Sequence, residues 1–395
     1  MELSAIHARL ERKMAEQVRK PVHAIATNIT SALGLDTRSH WQAIMSGNRG
    51  VREYSDEAFS KHPFWASKLD VAQWQYIQER TKGSESLTPF EQLAVFSAKQ
   101  ALEQLDETLQ PSETIVILST TKGNVELLDR IDDERVLLSY SAEVISNALG
   151  FNSVKPQVIS HACVSGVLAS VYAMRLLQSG RYKNAIVIGC DRFTRFVLSG
   201  FQSFHAIDKQ ACRPFDAARS GINLGEAAAT VILSTEDLHM PLAKIIAGSS
   251  SNDANHISGP SRTGEELGLA IKAALNEAKL DAGKINMISA HGTATKYNDE
   301  MEARAFDLCG FATTPVHSTK GYTGHTLGAA GVLESVLVIE SIQHRELIPT
   351  IGYEEHGVPV SLNITTSATP AEINYVLKTA SGFGGSNATA IWARV

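Results

Sequence analysis

Four residues in three small-residue-rich segments carry side chains that could do chemistry together. Cys163 lies in SHACVSGVLAS, His291 in ISAHGTAT, and Lys320 and His325 in STKGYTGHTLG. A thiolate is a good nucleophile and a fair leaving group, and imidazole can exchange a proton or donate to a developing oxyanion. These types fit nucleophilic catalysis by cysteine with histidine assistance. Each residue alone has an ordinary alternative: a core cysteine, a structural histidine or a surface lysine.

The context of Cys163 favours a reactive thiol. A β-rich run ends at Ser160, and a helical pattern of small and apolar residues starts just after the cysteine. We therefore predict that Cys163 lies at a helix N-terminus, where unpaired N–H groups and the helix dipole stabilise a thiolate. The pattern is apolar on nearly every face until Arg175, so we expect this helix to be central and buried.

A fourth segment, SGFGGSNATAIWARV, offers backbone rather than side-chain chemistry. Gly382, Gly384 and Gly385 flank Phe383, and a β-like run follows. A phosphate-binding glycine loop needs the spacing G-x-G-x-x-G and a following helix, and neither is present. The segment fits better as a tight turn whose N–H groups face an oxyanion.

The elements that must position these residues recur along the chain. A helical pattern over 90–105 precedes a strand pattern over 114–120, and helix 264–280 precedes strand 285–290 in the same way. Alternation of short β-branched runs with longer helical patterns is typical of an α/β protein.

The nucleophile segment also has a counterpart. SGVLAS at 165–170 opens one small-residue helix, and AGVLES at 330–335 lies in another. Four elements in the same order predict a duplicated α/β chain with halves 1–240 and 241–395; chance similarity of common patterns is the alternative. Such a chain places ligands at the carboxyl ends of its strands, where these reactive residues lie.

Composition narrows the class. The 395 residues have a formal net charge of −6, which disfavours a nucleic-acid binder. No stretch of about 18 uncharged apolar residues is present, so we expect no membrane span. The N-terminus lacks a secretory h-region and has the pattern of a short amphipathic helix, with its apolar positions at Leu3, Ile6, Leu10, Met14 and Val18.

The cysteines argue against metal and disulfide frameworks. Cys190, Cys212 and Cys309 form no Cys-x-x-Cys pair with one another or with the nucleophile. We interpret them as core residues of a protein in a reducing cytoplasm, and we predict no metal site.

Taken in order, the motifs resemble one family. The chain resembles the elongating β-ketoacyl-acyl carrier protein synthases of the thiolase superfamily from about Val22 to Val395. The resemblance rests on the Ala162-Cys163 segment, RPFDAARSGINLGEAAA from Arg213, AHGTAT, STKGYTGHTLGAAG and GFGGSN. It implies an α/β thiolase fold, in which duplicated halves form a five-layered αβαβα sandwich.

The resemblance also implies residue roles. Cys163 matches the acyl-accepting nucleophile, and His291 and His325 match the pair that promotes malonyl decarboxylation. Lys320 matches a lysine held near the second histidine. Phe383 matches both an oxyanion-hole N–H, shared with that of the cysteine, and the gatekeeper of the acyl pocket.

Further positions match supporting residues of the family. Thr293 and Thr295 match threonines that contact the pantetheine arm, and Glu302 and Glu334 match buried acidic residues. The implied reaction is condensation of an acyl chain with malonyl-acyl carrier protein (ACP) in fatty-acid, polyketide or polyene synthesis. It implies no cofactor, because acyl groups arrive on the phosphopantetheine arm of ACP. It also implies a dimer, a homodimer or a heterodimer with a homologous subunit.

Departures from the family pattern leave chain length and pathway open. His161 and Val164 replace a frequent threonine and a hydroxyl residue beside the nucleophile, the segment from Gly200 to Arg213 is short, and TTKGN at 120–124 replaces a glycine-richer loop. These regions border the acyl pocket in the family. A specialised polyketide or polyene synthase is therefore one expectation.

Three other interpretations are weaker. Thiolase needs a second cysteine in the C-terminal glycine loop, and initiating ketosynthases use Cys-His-Asn, whereas this chain has a second histidine. A non-catalytic chain-length-factor subunit typically lacks the reactive cysteine, which is present here.

For ACP docking, the sequence offers these basic candidates: Lys61, Lys68, Arg192, Arg195, Lys209 and Arg213.

Overall fold

The computed structural model describes residues 20–83, 86–129, 133–237, 240–255 and 259–395. The helix predicted from the apolar positions between Leu3 and Val18 lies outside the described residues. No helix in these ranges has both the length and the apolar character needed to cross a membrane.

The elements of the first half are bounded as follows. The strands are β1 (Val22–Ser31), β2 (Val51–Tyr54), β3 (Phe64–Ser67), β4 (Thr114–Ser119), β5 (Gln157–Ile159), β6 (Asn184–Asp191), β7 (Leu224–Gly225) and β8 (Ala227–Ser234). The helices are α1 (Thr37–Met45), α2 (Val71–Arg80), α3 (Pro89–Leu102), α4 (Leu138–Ala148), α5 (Ser165–Gln178) and α6 (Arg195–Ser203).

The second half has a similar series. Its strands are β9 (Ala243–Asn252), β10 (Met287–Ser289), β11 (Pro315–His317), β12 (Glu346–Leu347), β13 (Asn363–Ile364), β14 (Thr369–Pro370), β15 (Tyr375–Gly382) and β16 (Ser386–Ala393). Its helices are α7 (Glu265–Ala278), α8 (Lys296–Leu308), α9 (Lys320–Thr323) and α10 (Ala330–His344).

The two halves repeat one sheet topology, which confirms the predicted duplication. The strand order is β5-β4-β6-β8-β1 in the first half and β11-β10-β15-β16-β9 in the second. In both, the first two pairings are parallel and the last two antiparallel. A short antiparallel pairing of β1 with β9 joins the halves into one continuous sheet, and β13 extends its far edge.

Helices separate and cover the two sets of strands in five layers. The buried apolar positions of α3 and α4 pack on the outer face of the first set, and those of α7 and α8 on the outer face of the second. Helices α5 and α10 share the middle core with both sets. The αβαβα sandwich and the central, buried helix after Cys163 are therefore confirmed. The division into domains at residue 240 stays a prediction.

The outer helix α3 shows how local sequence fixes an element. The Thr88 hydroxyl accepts from the Glu91 N–H at 3.3 Å, and the Glu91 carboxylate accepts from the Thr88 N–H at 2.8 Å. This capping box, with Pro89 in the first turn, satisfies N–H groups that a helix start leaves unpaired. The helix starts at this box, one residue before the predicted start.

The two middle helices meet backbone to backbone. A Cβ added at Gly166 on α5 would lie 2.5 Å from the Val332 nitrogen and 2.8 Å from the Gly331 Cα on α10. A Cβ at Gly331 would overlap the Val167 nitrogen. Only glycine permits this approach, so the small residues of SGVLAS and AGVLES are explained by packing.

We expect Gly331→Ala to destabilise the protein by about 1–3 kcal/mol, because the new methyl group must push α10 away from α5. The loss of stability is measured by thermal unfolding of Gly331→Ala and of a control variant. Gly268→Ala is the matched control, since its Cβ would meet only the Cys309 sulfur at 3.7 Å and alanine favours a helix by up to about 1 kcal/mol. Equal melting temperatures for the two variants would contradict the tight crossing.

Candidate active site

The structure brings together three of the four residues that the sequence marks as reactive, and the fourth, Lys320, donates to the carbonyl oxygen of one of them, His291. The Cys163 sulfur and one ring nitrogen each of His291 and His325 all lie within 4.8 Å of one another. The two rings are nearly perpendicular, with centroids 5.2 Å apart. All three side chains are buried, although they come from opposite halves of the chain. A thiolate and two imidazoles at this spacing also have the types of a metal site, which the sequence does not predict.

Cys163 lies on a sharp turn between β5 and α5. Ala162, directly before it, has φ +46°, a left-handed conformation that costs a non-glycine residue about 1–2 kcal/mol. Helix α5 begins at Ser165 without a side-chain cap; the Ser165 N–H donates to the Ala162 carbonyl at 3.4 Å, whereas the Cys163 N–H has no backbone acceptor among the described residues. The position of Cys163 at a helix start is as predicted from the sequence; the strained turn before it was not predicted.

The thiol of Cys163 is protonated at rest. Burial raises its pKa to about 11, although the charges of Lys320 and Lys122 lower it. The predicted thiolate at the helix N-terminus is therefore not the resting state.

His325 presents a defined ring nitrogen to the site. Its Nδ1 accepts from the Leu327 N–H at 3.3 Å, so the neutral ring carries its proton on Nε2. This Nε2 is buried and has no protein partner among the described residues. Burial first, and the charge of Lys320 second, hold the pKa of His325 well below 6.5. The side chain is therefore a neutral N–H donor.

The ring of His291 is also neutral, with its proton on Nε2. The Lys320 ammonium lies 3.4 Å from its Nδ1 and donates to its carbonyl oxygen at 2.6 Å. An ammonium at Nδ1 leaves the ring proton on Nε2. Burial and the charge of Lys320 hold the pKa of His291 well below 6.5. The sequence resemblance places Lys320 near the second histidine, but its hydrogen bonds go to the first.

A buried ion cluster lies behind the histidines. Glu334 accepts from Lys320 at 2.6 Å and lies 2.7 Å from the Lys378 ammonium. Burial alone would raise the pKa of Glu334, but the two lysines lower it. Lys378 also donates to the carbonyls of Ser289 and Ala290 at 3.1 and 3.3 Å, directly before His291. Sequence reasoning missed Lys378; its signal is a lysine within the otherwise uncharged strand YVLKTASG.

Glu302 fixes the loop that carries His291. Its carboxylate accepts from the N–H groups of His291 at 2.8 Å and Gly292 at 2.6 Å. It also accepts from the Thr379 hydroxyl at 2.9 Å and the Asn298 amide at 3.0 Å. A fully bonded, buried carboxylate of this kind makes the loop rigid, as the sequence resemblance implies for Glu302.

Asp191 supports the loop of His325 in a similar way. Its buried carboxylate accepts from the Gly328 N–H at 2.7 Å and from the Thr121 N–H at 2.9 Å. It therefore ties the loop after β4 to the loop of the second histidine. Nothing in the local sequence distinguishes Asp191 from any aspartate at the end of a strand.

A cavity of about 320 Å³ leads from the surface to the sulfur and is lined by three phenylalanines. Phe383 stacks on Phe201, with ring centroids 5.8 Å apart, and meets Phe204 edge-on at 5.6 Å. Phe383 is 38% exposed, as expected of a residue at the mouth. Thr293 and Thr295 also line the cavity, with their hydroxyls 2.8 Å apart.

Three of the six basic residues proposed for ACP docking contact acidic or aromatic side chains, and the other three are exposed. Arg192 is ion-paired with Glu126 and lies over the Trp74 ring at 4.8 Å, and Lys68 lies 3.8 Å over the Phe59 ring. Arg213 lies 3.5 Å from Glu354. The exposed candidates are Lys61, Arg195 and Lys209. Sequence reasoning missed Lys296, which is exposed and lines the cavity.

Comparison with known proteins decides the family. The family profile described as "Beta-ketoacyl synthase, N-terminal domain" matches residues 19–239, and "Beta-ketoacyl synthase, C-terminal domain" matches residues 242–354. The chain belongs to the beta-ketoacyl synthase family. The resemblance read from the sequence is thereby confirmed.

Individual relatives cover nearly the whole chain. A 3-oxoacyl-[acyl-carrier-protein] synthase 2 of Coxiella burnetii is 29% identical over 93% of this chain and 97% of its own length. The tetracenomycin polyketide synthase ketoacyl synthase alpha subunit of Streptomyces glaucescens is 27% identical, over 96% and 99%. The solved ishigamide ketosynthase/chain length factor has TM-score 0.85 and 25% identity, over 96% and 100%. The thiolase fold and the β-ketoacyl-ACP synthase enzyme class are confirmed.

We expect the alkylation rate of Cys163 by iodoacetamide to rise about tenfold per pH unit between pH 7 and 9. The pKa near 11 means that the thiolate fraction still grows with pH throughout this window. Mass spectrometry of peptides from timed reactions locates the label, and Cys163→Ala protein identifies background labelling. A rate that is constant above pH 7 would show a thiol pKa below 7 instead.

Proposed function

We propose that Cys163 carries the acyl group in a decarboxylative condensation with malonyl-ACP, and that His291 and His325 stabilise the enolate. The observation that carries this proposal is the pair of neutral, buried imidazoles beside the sulfur, one with an Nε2 that has no described protein partner. Two neutral N–H donors can accept developing negative charge without adding a charge of their own.

The first step is acyl transfer. The Cys163 sulfur attacks the thioester carbonyl of the incoming acyl chain, the bond from that carbon to the pantetheine sulfur breaks, and the thiol proton passes to the leaving thiolate. The oxyanion that forms between these events would accept from the N–H groups of Cys163 and Phe383. The first N–H is at the uncapped start of α5, and the second is in the turn between β15 and β16.

The second step supplies the carbon nucleophile. The bond between the malonyl α-carbon and its carboxylate breaks, carbon dioxide leaves, and the electron pair forms an enolate whose oxygen accepts from His291 and His325. The α-carbon then attacks the acyl-Cys163 carbonyl and expels the thiolate, which takes a proton from solvent to restore the thiol. The electrons of the new carbon–carbon bond come from the broken carboxylate bond. The proposed sequence therefore balances without a redox cofactor or a metal ion.

Lys320 and Lys378 are assigned to the electrostatics of this step. Together with Glu334 they place two positive charges and one negative charge behind the histidines. Burial first, and this net positive charge second, lower the pKa values of both imidazoles and keep them neutral, and the charge attracts the enolate as it forms. We assign Thr293 and Thr295, which line the channel, to the pantetheine arm.

A chain-length-factor subunit without catalysis is the alternative, and the site does not favour it. Such a subunit would have no need for a nucleophile next to two donor histidines whose loops are fixed by Glu302, Lys320 and Asp191. These contacts support catalysis by this chain.

The proposed partners are ACP and a second subunit of this fold. Strand β5 ends its sheet, so one edge of its backbone can pair with another chain. Leu137 and Tyr140, at the start of the helix that contacts β5, are 60% and 36% exposed, and such apolar area favours a partner. The dimer, with an identical or a homologous subunit, is therefore part of the proposal.

We expect His291→Ala and His325→Ala each to lower malonyl-ACP decarboxylation by about 10²–10³, the usual loss for one oxyanion donor. Acylation of Cys163 should fall less, because its oxyanion is served by backbone N–H groups. Release of labelled carbon dioxide and intact-protein mass measure the two steps separately. His62→Ala, which replaces an exposed histidine, is the control. Loss of acylation with normal decarboxylation would reverse the assignment.

We expect Arg195→Glu to lower kcat/KM for acyl-ACP by about tenfold at low salt and to flatten its salt dependence. ACP is strongly acidic and this chain has a net charge of −6, so a local basic residue must attract it. Arg195 is exposed and starts α6, which carries Phe201 of the cavity about 9 Å further along.

Two controls separate docking from folding in this experiment. Lys284→Glu makes the same charge change as Arg195→Glu. It lies at the amino end of β10, whereas the cavity lies at the carboxyl end, so it should not affect ACP docking. A small acyl-pantetheine thioester replaces ACP as substrate in a parallel assay. Equal losses with both substrates would mean that Arg195 supports the pocket and does not dock ACP.

A further inference from the structure

One polar side chain next to the nucleophile has no part in the chemistry proposed above. His161 precedes Cys163 by two residues, at a position where the family often has threonine. Its backbone N–H donates to the Ser165 hydroxyl at 2.7 Å, within the nucleophile turn. Its ring Nε2 hydrogen-bonds the hydroxyl of Ser386, more than two hundred residues away. The ring therefore joins the nucleophile turn to a distant part of the chain.

Ser386 belongs to the hairpin that presents Phe383. It is the first residue of β16, pairs across the hairpin with Gly382, and is buried. The turn between these two residues packs against the nucleophile, since a Cβ added at Gly382 would lie 3.1 Å from the Cys163 nitrogen. The bond between His161 and Ser386 thus spans the two segments that carry the proposed oxyanion N–H groups.

Those two N–H groups are available to a ligand. Neither the Cys163 nor the Phe383 backbone N–H donates to a protein acceptor within the ranges that the structure describes. Both are in irregular backbone, one directly after the strained Ala162 and the other in a glycine turn. Irregular backbone of this kind keeps its geometry only when its surroundings hold it.

We propose that the hydrogen bond between His161 and Ser386 is a clamp that sets the separation of the two oxyanion N–H groups. His161 is then a positioning residue for acyl transfer. This inference rests on the proposed function, in which Cys163 accepts the acyl group. An oxyanion needs donors at about 2.7–3.1 Å, so a shift of a few tenths of an ångström between the turns weakens one of the two bonds.

The clamp acts on one part of the reaction. Decarboxylation builds its charge at the imidazoles of His291 and His325, whose loops are held by Glu302, Lys320 and Asp191. None of these contacts involves His161 or Ser386. Loss of the clamp should therefore slow acylation of Cys163 and leave malonyl-ACP decarboxylation unchanged, whereas loss of the fold would lower both.

The test compares side chains that can and cannot reach Ser386. The amide nitrogen of glutamine can occupy the position of the histidine Nε2, whereas the shorter asparagine reaches only the position of Nδ1. We expect His161→Ala, His161→Asn and Ser386→Ala each to lower the single-turnover rate of acylation by tenfold or more. His161→Gln should remain within about threefold of the wild type. Decarboxylation should stay within about twofold in all four variants.

A double variant tests the coupling. If His161 and Ser386 act through their mutual bond, His161→Ala with Ser386→Ala should be no slower in acylation than either single variant. Multiplied losses, equal losses in both steps, or unchanged acylation would each overturn the clamp. Ser386→Ala removes a single oxygen and carries the test if His161→Ala does not fold. A wild-type protein that neither acylates nor decarboxylates would instead overturn the proposed function itself.

Discussion

The close approach of α5 and α10 is the constraint on which the site depends. The helices touch at Gly166 and Gly331, each within two residues of its helix start, where a Cβ on one would meet the backbone of the other. Cys163 precedes the first helix by two residues, and His325 precedes the second by five. Because backbones in contact fix the distance between the two helix starts, they also fix the nucleophile and the second histidine. Larger residues at the crossing would separate the two halves of the site.

Exclusion of water explains the charge states of all three reactive residues. Burial penalises the charged form of any group, so it raises the pKa of Cys163 and lowers the pKa values of both histidines. The positive charge of Lys320 deepens the second effect and opposes the first. At rest the site therefore holds a neutral thiol and two neutral imidazoles. Negative charge appears only during the reaction, at positions where N–H donors are already fixed.

Local patterns predicted the reactive residues, and distant contacts decided the rest. Cys163 and His325 could be found because strand, small-residue loop and helix follow one another in sequence. Lys378 stands out as the one charge in its strand, but its role could not be predicted, because its partner Glu334 is 44 residues earlier on another element. The contacts of the docking candidates Arg192 and Lys68 could not be predicted either, because the local sequence does not indicate that the rings of Trp74 and Phe59 lie against them.

The repeated topology explains why one site needs both halves. Strands β4 and β5 are parallel in the first half, and β10 and β11 are parallel in the second, so the carboxyl ends of each pair open at one edge of the sheet and are followed by four loops in all. The loops after β5, β10 and β11 carry Cys163, His291 and His325. The loop after β4 carries Lys122, whose charge lowers the pKa values of Cys163 and His325. The pairing of β1 with β9 and the crossing of the middle helices bring these two sheet edges to one cavity. The first half therefore supplies the nucleophile, and the second half supplies both donor histidines.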